Sequence, residues 1–371
     1  MIRSLLHRLS AARLASHVGS PRRSHSLRLT ALEDRTVPAL ATVVAADAGG
    51  GPHVKVFDEA QHEVFSFFAY DAAFRGGVRV ALGDVNGDGT PDVVTAAGPG
   101  GGAHVKVFSG KDLSLLANFF AYDAAFRGGV FVGLADVDGD GNREVVTGPG
   151  VGGGPHVKVF DVVNGQAVAA KTPLASFLAY DVGVTGGLTV TGADLNGDHR
   201  DEIVTVPFRG STHVKAFDAA TGALVSTFFA FDPLFVGGGN VSAGDVDYDG
   251  RDEILVGAGL GGGGNTRVFG GADNHVVSSV AFFDGVLDGF NGGVRVQPLS
   301  IQDGTSNTIQ DGTSNTVRLV GTPSGGFASL TATRNAVTGQ LLPHIEQDNI
   351  FSGFGGGSFV ATNRNSILIG L

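Results

Sequence analysis

Four short segments of the chain carry acidic and amide side chains at alternate positions, with an acid again at position 9. The residues at positions 1, 3, 5 and 9 are Asp84, Asn86, Asp88 and Asp92; Asp136, Asp138, Asp140 and Glu144; Asp194, Asn196, Asp198 and Glu202; and Asp245, Asp247, Asp249 and Glu253. Ca²⁺ takes about six to eight hard oxygen ligands, and a tightly curled loop can direct alternate side chains to one point. With a backbone carbonyl from position 7, the pattern predicts about four Ca²⁺ sites.

An alternative interpretation is that clusters of Asp, Asn and Gly only form turns. Four copies in register with each other, each ending in an acid at position 9, favour metal binding instead. The segments differ from helix–loop–helix calcium sites because they have no acid at position 12 and strand-like sequences flank them. Mg²⁺ is less favoured, since it usually keeps several waters and bridges to phosphates.

The elements that position these loops are predicted to be strands. His-Val-Lys-Val-Phe occurs at 53–57, 104–108 and 156–160, and a close variant occurs at 213–217. Each repeat unit holds four short runs rich in Val and Phe and bounded by turn residues, and no helical periodicity lies between them. Four strands in roughly 50 residues, repeated along the chain, are typical of propeller blades.

Six copies of the repeat predict an all-β chain that forms a β-propeller of six four-stranded blades, with seven blades as the alternative. The units run near 40–92, 93–144, 145–202, 203–253, 254–316 and 317–371. Segments 41–46 and 366–370 both look like a surplus strand, so one of them is expected to complete a blade from the opposite terminus. In the fifth unit Ser300 replaces the first Asp, which predicts no metal there, and the tandem copy at 301–316 is expected to form a surface loop.

The acidic loop between strands, followed by an apolar strand and a turn such as Ala97-Gly98-Pro99, resembles the FG-GAP (VCBS-type) repeats of integrin-α propellers and related bacterial proteins. The resemblance covers about residues 40–371 and implies a calcium-binding propeller. Two loops depart from the family pattern, because His199 stands where Gly is expected and Tyr248 occupies position 4. We expect weaker metal binding in these two loops.

The N-terminal segment, residues 1–36, contains seven Arg residues against only Glu33 and Asp34. We expect it to be a disordered basic tail or a targeting segment, which leaves residues 37–371 as the propeller. Residues 32–39 resemble the LEDRxxPA signature of large bacterial surface proteins, and residues 39–41 have the small-x-small form of a cleavage site. This resemblance implies a secreted or cell-surface protein.

Composition excludes several classes of function. The chain has no Cys, which excludes disulfides, a catalytic Cys, a Cys-based zinc site and an iron–sulfur cluster. The net charge is −11, and residues 37–371 hold 18 basic and 34 acidic residues, a net charge of −16. Such a body repels nucleic-acid phosphates, so nucleic-acid binding is not expected. No apolar run approaches the ~20 residues of a membrane span.

A histidine recurs in four units, at His53, His104, His156 and His213, each two residues before a Lys on the same strand face. A catalytic site is usually unique, so one copy in each unit favours a structural or channel-lining role. No unrepeated acid pair, nucleophile elbow or phosphate-binding loop is found. The chain is therefore predicted not to be an enzyme.

The favoured function is an extracytoplasmic module, acting as a monomer, that binds a protein or glycan ligand in adhesion. Two alternatives stay open: a structural cell-envelope protein without a specific ligand and, less favoured, a carbohydrate-active propeller enzyme. A pair of unrepeated carboxylates in a central pocket would favour the enzyme, whereas a featureless channel would favour the other two.

Overall fold

The structure is a computed structural model. It describes residues 40–60, 62–271, 273–281, 291–303, 317–324, 332–335, 358–362 and 368–370. The predictions for the N-terminal segment, for the side chain of Ser300 and for most of the tandem copy at 301–316 lie outside these residues. In the part of the chain that is described, no helix is both long enough and apolar enough to cross a bilayer.

The described residues form 25 β-strands. In chain order they are β1 (Leu40–Ala46), β2 (His53–Asp58), β3 (Glu63–Phe68), β4 (Val78–Gly83), β5 (Asp92–Ala97), β6 (His104–Phe108), β7 (Leu115–Phe120), β8 (Val130–Ala135), β9 (Glu144–Pro149), β10 (His156–Val163), β11 (Gln166–Ala169), β12 (Ser176–Leu178), β13 (Leu188–Ala193), β14 (Glu202–Pro207), β15 (His213–Phe217), β16 (Leu224–Phe229), β17 (Gly239–Gly244), β18 (Glu253–Ala258), β19 (Asn265–Phe269), β20 (Val276–Ala281), β21 (Gly293–Asp303), β22 (Val317–Ser324), β23 (Ala332–Asn335), β24 (Ser358–Thr362) and β25 (Leu368–Gly370).

Burial along each strand follows its place in the sheet. Strands β4 and β5 are buried on both faces, as their nearly continuous apolar sequences require. Strand β2 alternates, with Val54 and Val56 buried while His53 and Lys55 are half-buried. Strand β3 and its equivalents, β7 and β16, leave at least half of their residues exposed. The core therefore lies between the inner strands of neighbouring sheets.

The all-β propeller class is confirmed, but the predicted blade count of six, or alternatively seven, is wrong. The described residues form five blades that are four-stranded sheets: β24-β1-β2-β3, β4-β5-β6-β7, β13-β14-β15-β16, β17-β18-β19-β20 and β23-β22-β21-β25. The sheet formed by β8 to β12 has five strands and does not repeat the four-stranded pattern.

An insertion explains why the third unit departs from the predicted pattern. Strand β10 continues to Val163, and Asn164 and Gly165 turn with φ angles of 51° and 79° into β11. Positive φ at both central residues is the geometry of a tight hairpin turn. Strand β12 then pairs with the start of β10, so two short strands share the edge that one strand occupies in the other blades.

Both chain ends contribute strands, in a different way from the prediction. Strand β24 pairs antiparallel with β1, from Thr42 opposite Thr362 to Ala46 opposite Ser358. The C-terminal part of the chain therefore completes the first blade, as expected in outline, but it does so with residues 358–362. Strand β25, within the segment expected to play that part, instead pairs in parallel with β21.

The repeated Tyr and Lys side chains connect successive sheets. The Tyr122 hydroxyl donates to the Thr147 carbonyl at 2.9 Å and lies 2.7 Å from the His156 carbonyl, both in the next sheet. Tyr70 and Tyr180 make equivalent contacts, and burial raises the pKa of all three phenols. The Lys106 ammonium donates to the Ala69 carbonyl at 2.9 Å. These side chains hold neighbouring sheets together.

The four repeated histidines lie on the third strand of their sheets, on β2, β6, β10 and β15. His213 stacks on Phe229 with ring centroids 4.6 Å apart, and its Nε2 lies 2.8 Å from the Thr227 hydroxyl. His53 makes the matching contact with Ser66 at 2.8 Å. Each ring therefore cross-links the two outer strands of its own blade.

Candidate metal centres

The four acidic loops occupy equivalent places, between the first and second strands of successive sheets. We number them loop 1 (84–92, between β4 and β5), loop 2 (136–144, between β8 and β9), loop 3 (194–202, between β13 and β14) and loop 4 (245–253, between β17 and β18). Strand pairing on both sides of each loop fixes its ends, so the four loops have nearly the same backbone path.

The carboxylate at position 1 organises each loop by accepting backbone N–H groups. In loop 2, Asp136 Oδ1 accepts from Gly139 at 2.7 Å and Oδ2 accepts from Gly141 at 2.9 Å. Loops 1 and 3 repeat both bonds, and loop 4 repeats the second. Asp side chains favour such local bonds, which is why the loop forms from its own sequence.

The side chains at position 5 also serve the loop backbone. Asp140 Oδ1 accepts from the Asn142 N–H at 2.8 Å, and Asp88, Asp198 and Asp249 do the same for their own position 7 at 2.9 Å. This bond directs the position 5 carboxylate toward the backbone of its own loop. The position 5 acids Asp140 and Asp249 are therefore not among the three acids that converge in loops 2 and 4.

Loops 2 and 4 bring three predicted ligands together. One oxygen from each of Asp136, Asp138 and Glu144 lies within 4.8 Å of the others. In loop 4 the same holds for Asp245, Asp247 and Glu253. The Oδ1 atoms of Asp138 and Asp245 are buried and have no hydrogen-bond partner among the described residues. A buried carboxylate oxygen without a partner is costly, and a divalent cation would satisfy it.

The position 9 acids are held in an environment that disfavours their charge. Burial raises the pKa of Glu144 to about 8, against a hydrogen bond from the Val137 N–H that lowers it, and the charges of Asp138 and Asp136 raise it further. Burial likewise raises the pKa of Glu253 to about 7, with Asp247 and Asp245 adding to the effect. A Ca²⁺ ion beside these groups would favour their ionised forms.

Loops 1 and 3 carry Asn at position 3, and the amide changes the arrangement. Asn196 Nδ2 donates to Glu202 Oε1 at 3.0 Å, and Asn86 Nδ2 donates to Asp88 Oδ2 at 3.2 Å. The amide therefore donates to an acid of its own loop, which the carboxylate at position 3 of loops 2 and 4 cannot do. In the arrangement of their acids, loops 2 and 4 resemble each other and differ from loops 1 and 3. The sequence instead predicted weaker metal binding in loops 3 and 4 than in loops 1 and 2.

The two departures from the glycine pattern leave the backbone path unchanged. His199 and Tyr248 adopt φ angles of 65° and 62°, where the equivalent glycines Gly141 and Gly139 adopt 89° and 75°. A side chain in this left-handed region is strained by about 1–2 kcal/mol. The loops thus tolerate His and Tyr at a cost in stability, and Tyr248 does not prevent the acids of loop 4 from converging.

Position 8 holds functional side chains that the sequence reasoning missed. Asp201 Oδ2 accepts from the Asp136 N–H at 3.0 Å and lies 3.1 Å from Arg143 Nη1. Asp252 Oδ2 accepts from the Asp194 N–H at 3.0 Å in the same way. These acids connect each loop to the loop before it. The sequence feature that could have identified them is an acid at position 8, directly before the acid at position 9. Among the four loops, only loops 3 and 4 have it.

These connected loops border a cavity of about 430 Å³. Its lining includes five carboxylates and one guanidinium, from Asp136, Asp194, Asp201, Asp245, Asp252 and Arg143. The imbalance of charge makes this side of loops 2 to 4 electronegative, which suits a cationic or calcium-bridged ligand.

Comparison with known proteins gives one family match: residues 76–110, which span β4, loop 1, β5 and β6, match the FG-GAP repeat family. No protein among curated sequences matches this chain. Solved structures with a similar arrangement include the rhamnogalacturonan lyase YesW, at 16% identity and a TM-score of 0.44 over 83% of this chain and 64% of the lyase. This chain therefore corresponds to less than two thirds of that lyase.

Two further solved structures are similar at the same level. A lectin from Agrocybe aegerita, described as recognising non-reducing terminal N-acetylglucosamine, is 18% identical with a TM-score of 0.47 over 88% of this chain and 96% of the lectin. The exotype rhamnogalacturonan lyase YesX is 15% identical with a TM-score of 0.44 over 83% of this chain and 62% of the lyase. With TM-scores below 0.5, these matches assign neither a ligand nor an activity to this chain.

Proposed function

We propose that this FG-GAP-repeat β-propeller binds Ca²⁺ in its acidic loops and works outside the cytoplasm as a protein- or glycan-binding module. One observation carries the metal assignment: the buried Oδ1 atoms of Asp138 and Asp245 lack a hydrogen-bond partner among the described residues. Each belongs to a group of three converging carboxylates. We propose that loops 2 and 4 bind Ca²⁺ most tightly and that loops 1 and 3 bind it more weakly.

The donor set supports Ca²⁺ over other common cations. Every candidate ligand is an oxygen, with no His or Cys among positions 1, 3, 5 and 9, which disfavours zinc and copper. We propose the backbone carbonyls at position 7, those of Asn142 and Arg251, as further ligands. Carboxylates and carbonyls on a flexible loop suit the variable geometry of Ca²⁺ better than the strict octahedron of Mg²⁺.

The sizes of the cavities and the charges that line them support the proposed binding role. The two cavities beside the inner strands measure about 70 and 60 Å³, and both include Val132, Val190 and Val241 in their lining. Small-molecule sites usually measure about 300–1,000 Å³, so these cavities do not fit a substrate. The 430 Å³ cavity beside loops 2 to 4 has that size and is lined by charged groups. We propose it as the ligand-binding face and propose no catalytic role for the chain.

An extracytoplasmic location follows from the same proposal. Extracellular calcium modules work at Kd values of about 10⁻⁴–10⁻³ M, which match the calcium available outside cells. Fractionation of cells that produce the full chain, followed by immunoblotting, tests this. Recovery of the protein from the cytosolic fraction alone would contradict the location.

Calorimetric titration of the full chain with Ca²⁺ tests the metal assignment. Asp138→Asn should weaken binding in loop 2 to the level of loops 1 and 3, which carry Asn at position 3, because the substitution keeps the volume but replaces a carboxylate by a neutral amide. Glu59→Gln, on the turn after β2 and away from all four loops, is the matched control and should bind as the wild type does. Absence of Ca²⁺ binding by the wild type would overturn the assignment.

Glycan and protein arrays probed with the full chain, with and without Ca²⁺, test the binding role. We expect a ligand that is retained in Ca²⁺ and lost in chelator. Turnover of a polysaccharide by the purified protein would instead establish an enzyme and contradict the proposal.

A further inference from the structure

Loop 1 differs from the other loops because a lysine forms an ion pair with one of its acids. Lys111 Nζ lies 3.1 Å from Asp88 Oδ2 and 3.4 Å from the Asp88 carbonyl oxygen. Lys111 belongs to the turn between β6 and β7, in the same blade as loop 1. Within the described residues, no other loop has a Lys or Arg ion pair to its position 1, 3, 5 or 9 acid.

Beside loops 2 and 3 the nearby side chains are acidic instead: Asp161 lies on β10, and Asp218 directly follows β15. Asp161 acts on Glu144 of loop 2, and Asp218 acts on Glu202 of loop 3, in both cases as a like charge. These two acids therefore add negative charge near their loops, whereas the turn beside loop 1 adds an ammonium group. A cation entering loop 1 therefore meets an ammonium group that is already paired with one of the acids of the loop.

The position 9 acid of loop 1 is also less available than those of the other loops. Asp92 is one methylene shorter than Glu and fully buried, and its two oxygens accept from the Val85 and Gly110 N–H groups at 3.2 and 3.0 Å. In loop 2, the Glu144 carboxylate accepts through Oε2 alone, from the Val137 N–H, among the residues that the structure describes. Loop 1 thus offers fewer free carboxylate oxygens, which makes Asp88 more important for any ion bound there.

We propose that Lys111 sets the Ca²⁺ affinity of loop 1, acting as a tethered cation that competes with Ca²⁺ for Asp88. The inference rests on the proposed calcium function and adds an order of loading, with loop 1 filled after loops 2 and 4. The ammonium group and Ca²⁺ both need the Asp88 oxygens, and their positive charges repel each other at short range. Binding of Ca²⁺ in loop 1 displaces Lys111 into solvent, so filling this loop also places a free positive charge beside it.

The test compares Ca²⁺ titrations of the full-length wild type, Lys111→Met and Lys111→Arg by calorimetry. A unit charge acting on a divalent ion at this range predicts that the weakest site tightens about tenfold in Lys111→Met. Lys111→Arg keeps the charge and should keep the weak site. Because the effect is electrostatic and the Lys111–Asp88 pair is partly exposed, the difference in affinity between the wild type and Lys111→Met should shrink in ~1 M salt.

Two controls assign the effect to the Lys111–Asp88 pair. Lys171→Met removes one exposed lysine elsewhere and should leave all affinities unchanged. In an Asp88→Ala background the lysine has no acid to compete for, so Lys111→Met should then have no further effect. If the wild type binds Ca²⁺ but Lys111→Met leaves every affinity unchanged, or Lys171→Met produces the same gain, this inference is wrong while the calcium function stands. If the wild type binds no Ca²⁺, both fail.

Discussion

Replacement of Glu144 by Gln should change stability in opposite directions with and without Ca²⁺. Burial and the neighbouring Asp138 and Asp136 raise the pKa of Glu144 to about 8. A folded-state pKa above the unfolded value makes folding more favourable below pH ~4.5, and that advantage is lost as pH rises to about 8. In chelator at pH 8 the ionised Glu144 therefore destabilises the folded state, and the neutral glutamine side chain of the variant removes this penalty.

The magnitude follows from the size of the pKa change. Each pKa unit corresponds to about 1.36 kcal/mol, so a rise from 4.5 to about 8 sets an upper limit of about 5 kcal/mol. Solvent near the loop screens part of this, so we expect a gain of about 2 kcal/mol in the free energy of unfolding. In Ca²⁺ the same variant loses a site worth about 2.7 kcal/mol at 100-fold saturation.

Urea denaturation at pH 8, in chelator and in millimolar Ca²⁺, measures both effects through the transition midpoint. Glu59→Gln is the control and should match the wild type in both buffers. A variant that is less stable than the wild type in chelator, or equal to it in Ca²⁺, would refute the reasoning. The first result would show that Glu144 is not strained when ionised, and the second that it binds no metal.

Three further outcomes are expected. Chelation should lower the melting temperature of the full chain, and Ca²⁺ should restore it better than Mg²⁺; identical melting curves in chelator and in Ca²⁺ would exclude metal from the loops. His199→Gly should raise the free energy of unfolding in urea by about 0.5–1 kcal/mol, because relief of the positive φ exceeds the added flexibility of Gly, whereas Gly141→Ala should lower it. Tyr122→Phe should cost about 1–3 kcal/mol in the same assay, since it removes the one hydroxyl that lies between the Thr147 and His156 carbonyls, and unchanged stability would show that this contact between sheets is dispensable.

Local features of this protein could be predicted from the sequence because short-range interactions determine them. The alternating acids form their own loops through bonds between an Asp and amides three to five residues later, as Asp84 does with Gly87 and Gly89. The Val- and Phe-rich runs form strands for equally local reasons, so the all-β propeller class was predicted correctly. The assignment of the repeated histidines to a structural role agrees with their contacts to neighbouring strands.

The number and make-up of the blades depend on interactions far apart in the sequence. Strand β10 acquires two partners, and β25 joins β21 in parallel across more than 60 residues of chain. A count of repeated segments assumes that every unit pairs its strands in the same way. The insertion after β10 and the altered pairing near the C-terminus break that assumption, and no local pattern reports either change.

The tertiary structure also decides which loops assemble a metal site. The sequence presents four similar acidic loops, yet the converging carboxylates lie in loops 2 and 4. The Asn196 amide satisfies Glu202 in loop 3, and Lys111, more than 20 residues away in sequence, lies on Asp88 in loop 1. The sequence determines where the carboxylates occur along the chain, whereas the folded arrangement of donors and charges around each carboxylate determines whether an oxygen remains free for Ca²⁺.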